Sequence, residues 1–377
     1  MKRILKYLLL IIVVLAAGSP YFAGRIIEKD YNALIDHLNA ASQGSAKFVG
    51  KYNRGFFSST ATTEVTVQDS YINVQLAHAI KHGPVIFDFQ GWTTPKTYMP
   101  QRYIFGEIKT KFMGPLEQAL ENLYGKSPAY DITTVITMHG AFNTDINSYP
   151  LNTSLGNGKF NWQGLTANIN TTLQLDTIHG TATIPLISYS EQTAKDNESA
   201  NVTNLKLDFT HAPAAQNSNF DLSIETASIM NGAQNDVSLQ KYVINATRKV
   251  TNDVVDMELK TTFDKAAVGD QVYGPFDCDV QMKNLDGKAL QAMMQGADSA
   301  KEYNQHLQEL FAKQVTVDGK FTLTTPDGHI AISGHTMLGG PEFNIADAMT
   351  KTLTADEDIQ VSKKIVYILL AKYAETQ

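Results

Sequence analysis

A chain of 377 residues is long enough for one large core or two ordinary ones. Its net charge of −7, with only 18% charged residues, excludes the clustered Lys and Arg of a nucleic-acid binder. A single cysteine, Cys278, excludes an intramolecular disulfide framework.

Lys2, Arg3 and Lys6 open the chain. From Tyr7 to Gly24 no residue is charged, and Leu8 to Ala17 is wholly apolar. As a helix this run spans about 27 Å, close to a bilayer core. The basic flank predicts a cytoplasmic N-terminus and a translocated remainder. A cleavable leader is the competing reading, with Ala16-Ala17-Gly18 as the small-residue site. Tyr21 and Phe22 prolong the apolar run past that site, which favours a retained anchor over residues 1–24. Pro20 predicts a kink or the point of exit. Residues 25–44 continue as an amphipathic linking helix. Ile27, Tyr31, Leu34 and Leu38 recur at helical spacing, and Gly44 ends it.

Over 45–377 the apolar period drops to two. Ala61, Thr63, Val65 and Val67 share one face; Ile72, Val74 and Leu76 follow, then Val85, Phe87 and Phe89. Leu165 to Leu175, Leu205 to Phe209, Phe220 to Ile224, Met257 to Phe263 and Val315 to Leu323 repeat the alternation. This predicts a mainly β, β-rich α+β fold with one dry and one wet face. Its form is a long curved antiparallel sheet or two packed sheets. Asn157-Gly158, Asp286-Gly287, Asp318-Gly319 and Asp327-Gly328 are expected turns. Residues 190–201 are polar and predict an exposed loop. Helices are expected near 115–124, 290–313, with Gly296 as a break point, and 362–376, with Ser362 as cap.

Three short segments carry a family resemblance. Gly24-Arg25-Ile26-Ile27-Glu28 follows the apolar run. Tyr52-Asn53-Arg54-Gly55-Phe56-Phe57-Ser58-Ser59 leads into a strand, and His82-Gly83-Pro84 precedes another. Their order, with the helix around Tyr303-Asn304, resembles the YdgA-like family of bacterial envelope proteins. The resemblance implies a single-pass inner-membrane anchor through residues 4–24 and a periplasmic body. It supplies no catalytic residue. The family-motif residues of unknown role are Arg54, Gly55, Phe56, Ser58, Ser59, His82, Gly83 and Pro84. Physically, Gly55 predicts a positive φ or a bulge, and Phe56 and Phe57 are expected to start a packed strand. Arg54 is expected to pair with a nearby carboxylate, His82 to sit in a strand-entry turn.

No motif for chemistry stands out. His78 and His82 are four apart in a stretch that alternates as a strand, which argues against a zinc pair. Ser238-Leu239-Gln240-Lys241, Ser199-Ala200-Asn201 and Lys81-His82-Gly83 are fragments of the penicillin-binding triad in reversed order. Cys278 alternates with Phe276 and Val280 and is expected buried and inert. No enzyme activity, cofactor, metal or nucleic-acid partner is expected. Two readings remain open: a tethered module for lipid or another apolar ligand, and a structural or interaction component of the envelope with a closed core. Self-association or an envelope protein partner stays open in both. An open dry face would expose Phe87, Phe89, Leu173, Leu175, Phe209 and Phe263 as lining.

Overall fold

The computed structural model describes residues 2–42, 44–68, 73–87, 103–125, 127–137, 140–192, 197–213, 215–231, 236–295, 300–340 and 353–367; the side chains of 2–20 and 83–87 are among those outside the description. Among the described residues the chain is mainly β, with twenty strands in antiparallel pairing and few helices. The first nine strands are β1 (Ala46–Asn53), β2 (Ser58–Val67), β3 (Asn73–Phe87), β4 (Tyr103–Met113), β5 (Tyr130–Thr137), β6 (Ala141–Ser148), β7 (Leu151–Leu155), β8 (Gly158–Trp162) and β9 (Leu165–Thr172). Then follow β10 (Ile178–Gln192), β11 (Asn197–Ala212), β12 (Asn217–Asn231), β13 (Val237–Thr251), β14 (Val254–Phe263), β15 (Lys265–Val268), β16 (Gln271–Tyr273), β17 (Phe276–Asp286), β18 (Val315–Thr325), β19 (Gly328–Leu338) and β20 (Leu353–Val361). The helices are α1 (Lys2–Ala41), α2 (Pro115–Tyr124), α3 (Gly287–Gln295) and α4 (Ala300–Leu310), with a further helical turn at 363–367.

The body falls into two compact units: Met1–Leu151 with Gly164–Ala182, and Asn152–Gln163 with Thr183–Gln377. In the first, strands β1 to β6 pair in sequence order and β9 adds beside β6. Register puts Gly50, Tyr52, Ser59, Ala61, Thr63, His78, Ile80 and Thr110 on one side. Helix α1 lies on that side. It runs unbroken through Pro20 and buries Ala23, Ile27 and Tyr31, four apart, so one stripe faces the sheet. The core is Ile27, Tyr31, Ala61, Ile80, Ile136 and Phe142. Among the described residues no helix is long and apolar enough to cross a membrane.

In the second unit eight strands are paired in the order β11-β12-β13-β14-β17-β18-β19-β20. One register row is Leu207, Leu222, Ile244, Thr261, Cys278, Phe321, Ile332 and Ile359. The row beside it, on the same side, holds Phe209, Phe220, Ala246, Leu259 and Val280. The side chains between them point the other way and are polar: Asp208, Asp221, Asn245, Lys260, Asp279, Lys320, Ser333 and Asp358. Helices α3 and α4 close one end, over Val255, Leu285 and Val315.

Several local expectations change. Asp286-Gly287 is a helix start: Asp286 Oδ1 accepts from the amides of Lys288 and Ala289 at 3.1 Å each, capping α3. Asp318-Gly319 lies inside β18, paired on both sides, so this Asp-Gly is no turn. The polar stretch 190–201 is largely strand, because Ser190 pairs with Lys159 and Glu198 with Asn231; ladder bonds use the backbone and tolerate polar side chains. The 290–313 region holds two helices, and Gly296 lies outside the described residues. So does the stretch beyond residue 367. Ser362 caps the last turn with its carbonyl, while its hydroxyl donates to Asp327 O at 3.3 Å.

Candidate functional site

The motif residues converge at one end of the first unit. Arg54 to Phe57 form the loop between β1 and β2, and Asn53 pairs with Thr60 to close it. Gly55 is required by proximity rather than by a positive φ: a Cβ there would lie 2.1 Å from Ser58 O. Its amide donates to Ser59 Oγ at 3.2 Å. Ser59 Oγ lies 2.8 Å from His82 Nε2, and both residues are buried, 4% and 2% exposed. His82 N in turn donates to Phe57 O at 3.1 Å. The loop is thus clasped to β3 by a side-chain and a backbone bond. Helix α1 closes the clasp from above at Gly24, where a Cβ would stand 2.6 Å from His82 Cε1.

His82 does not occupy a strand-entry turn. It lies within β3, and the ladder with β4 shifts register between His82 and Ile86. Pro84, which cannot donate to a ladder, falls in that irregular stretch together with Gly83. Phe56 and Phe57 do not start a packed strand either. They precede β2 and are 49% and 65% exposed, because the clasp points Ser59 inward and leaves the loop tip outside. Ser58 is exposed as well. Arg54 behaves as expected of a turn arginine. Its Nη1 is 3.0 Å from Glu28 Oε2, and its guanidinium lies 5.3 Å from the Tyr21 ring centroid.

A second polar chain runs beneath α1, and sequence reading missed it. Tyr31 Oη donates to Thr62 O at 2.8 Å and also lies 2.8 Å from Thr63 Oγ1. With its one proton on the carbonyl, Tyr31 accepts from Thr63. Thr63 then accepts from His78 Nε2 at 2.8 Å, and His78 Nδ1 accepts from Thr110 Oγ1 at 2.9 Å. Burial pushes the His78 pKa down to about 4, so the imidazole is neutral at ordinary pH. The two histidines therefore serve two separate hydroxyl networks. Their spacing of four on a strand, which puts both on the same face, is the signal that was available.

Chemically, a Ser-His pair at 2.8 Å has the separation of a nucleophile and its base. Here the serine also accepts from Gly55 and both groups are sealed below α1, so the pair locks a loop. The chain belongs to the DUF945 family. A family model described as bacterial protein of unknown function (DUF945) matches residues 1–377. No curated protein and no solved structure matches the chain.

The other expected positions scatter. Ser238 is on β13 and Ser199 on β11, both in the second unit, and Lys81 is on β3 in the first. Cys278 is half-buried rather than buried, since its row is open; desolvation and the neighbouring Asp277 and Asp279 raise its thiol pKa. Leu173 packs against the closed core of the first unit, and Leu175 is buried in a turn at φ 56°. Phe209 is on one of the two open rows, and Phe263, on the same side, is stacked on Phe276 at 4.8 Å. Phe89 and the side chain of Phe87 lie outside the described residues. On the polar side of the second unit a shallow depression of about 440 Å³ is lined by Asp279, Asp318, Lys320, His335, Asp356 and Asp358.

Proposed function

We propose that this DUF945 protein is a membrane-tethered, periplasmic, non-enzymatic module that handles lipid or another apolar ligand; the tether and the periplasmic body are what its resemblance to the YdgA-like family implies. The observation that carries the reading is the open apolar side of the second unit. Leu259 is 46% exposed, Phe220 39%, Ile332 38% and Ile359 59%, on strands that present polar residues to the opposite side. Eight paired strands make this surface about 34 Å wide. Exposed apolar side chains gathered on one side of a sheet mark a site of interaction. Anchoring is supported by the uncharged run Tyr7 to Gly24 behind Lys2, Arg3 and Lys6.

The test is native mass spectrometry of the full chain released from detergent, beside a Leu259→Glu/Ile332→Glu variant. Both proteins keep the N-terminal helix, so lipid carried by that helix appears in both. Adducts present in the wild type and missing from the folded variant support the reading. Identical adduct patterns reject it. The closed core of the first unit favours a second, structural role for that part alone.

A further inference from the structure

At the point where the uncharged run of α1 ends, the first unit carries an exposed aromatic patch. Tyr21 is 41% exposed, Phe22 62%, Phe56 49% and Phe57 65%. They come from two elements that touch. Tyr21 and Phe56 centroids are 6.4 Å apart, Tyr21 and Phe22 5.9 Å, Phe56 and Phe57 4.7 Å. The clasp at Gly55, Ser59 and His82 and the Arg54–Glu28 pair therefore hold Phe56 and Phe57 at the same level along α1 as Tyr21 and Phe22. On the N-terminal side of this level the helix sequence is uncharged from Tyr7 onward. On the C-terminal side Arg25 and Lys29 are exposed.

Apolar helix, aromatic ring and then cations is the order met on leaving a bilayer, from hydrocarbon through the headgroup boundary to water. A helix alone would need only its own Tyr21 and Phe22 there. Two more aromatics are delivered by a hairpin that the buried clasp keeps rigid. We infer that the β1–β2 tip is a membrane-docking loop, seated with Tyr21 and Phe22 in the headgroup–acyl boundary of the bilayer that α1 enters. The inference rests on the proposed anchoring. It adds that the folded body touches the lipid surface at a second, preformed place, which fixes the body's orientation.

The test uses the full chain with Cys278→Ser, reconstituted in vesicles of phosphatidylethanolamine and phosphatidylglycerol. A nitroxide is attached at Phe57→Cys, and collision with oxygen and with a water-soluble nickel chelate reports depth. Leu10→Cys is the control for the helix. Lys47→Cys, exposed on β1 about 24 Å from the tip, is the control for water. The expected result is a several-fold loss of nickel accessibility at Phe57 relative to Lys47, with Leu10 deeper still. Phe56→Cys gives the same reading if the first variant fails to fold. A deep Leu10 with Phe57 as wet as Lys47 overturns the docking loop and leaves the anchor standing. A wet Leu10 overturns both.

Discussion

The same alternating sequence pattern ends in opposite states in the two units. In the first, the dry side is closed: Ala61 is 2% exposed, Ile80 1% and Ile136 2%. In the second, residues of equal hydrophobicity on equally regular strands stay open, such as Leu259 at 46% and Ile359 at 59%. The difference is the cover. Helix α1 fits the first sheet because glycines make room for it. A Cβ on Gly50 would lie 2.9 Å from Ile35 Cγ1 and Tyr31 Cε1, and one on Gly106 2.8 Å from Ile27 Cδ1. Gly319, on the open side, would meet nothing within 4 Å. Gly50 and Gly106 record a close approach of the helix, and Gly319 records an uncovered strand.

The sharpest break between the units should come from a charge. Ile27→Asp buries an unpaired carboxylate between α1 and the sheet, and the first unit should fail to fold. Leu259→Glu/Ile332→Glu places two charges on exposed positions and should shift the thermal midpoint only slightly. Circular dichroism melts of the full chain compare them. Equal loss of structure in both would mean that the open side is core.

Acid should act on the closed unit next. His78 is neutral when folded, with a pKa near 4 against 6.5 for a free histidine. Above pH 6.5 neither state carries the proton, and the network contributes fully. As pH falls from 6.5 to 4 the unfolded chain takes up a proton that the folded chain refuses, so stability drops. Below 4 the loss is complete. Its ceiling is about 3 kcal/mol. His78→Gln, which keeps one donor and one acceptor between Thr63 and Thr110, should flatten this part of the profile. Urea midpoints from pH 7 to 4 measure the difference; parallel profiles for the two proteins would remove His78 as the cause.

The glycine contrast is smaller. Gly106→Val pushes Ile27 Cδ1 and should cost about 1–3 kcal/mol, while Gly319→Val has room and suits a strand. A destabilised Gly319→Val would show that the open side is occupied.

Much of the architecture was legible. Period two identified strands, and Pro115 with Gly125 bracketed α2. Local pattern did not reveal which dry face has a lid, because α1 ends at Ala41, β3 begins only at Asn73, and nothing in either names the other. It also misplaced Asp318-Gly319 and His82-Gly83-Pro84. Gly and Pro mark turns only where the ladder does not continue, and here partner strands on both sides of β18, and a register shift within β3, override the local signal. The motif run was legible as a unit, and its chemistry was not. Ser59 and His82 are 23 residues apart, and only pairing of β2 with β3 brings their side chains to one face.

The finest test lies within the clasp itself. Gly55 and Arg54 are adjacent, but one is held by the backbone and the other by a surface charge. Gly55→Ala sets a Cβ 2.1 Å from Ser58 O, so the loop must open and the Ser59 hydroxyl loses the amide that it accepts from. That should cost about 1–3 kcal/mol. Arg54→Ala removes an ion pair whose side chains are each 33% exposed, worth about 1 kcal/mol or less after solvent screening. Denaturant midpoints at low and high salt separate the two, since only the Arg54 effect should shrink with salt. If Arg54→Ala proved the more damaging, the arginine would be ordering the Tyr21 ring and the loop together, and the clasp would extend beyond Ser59 and His82.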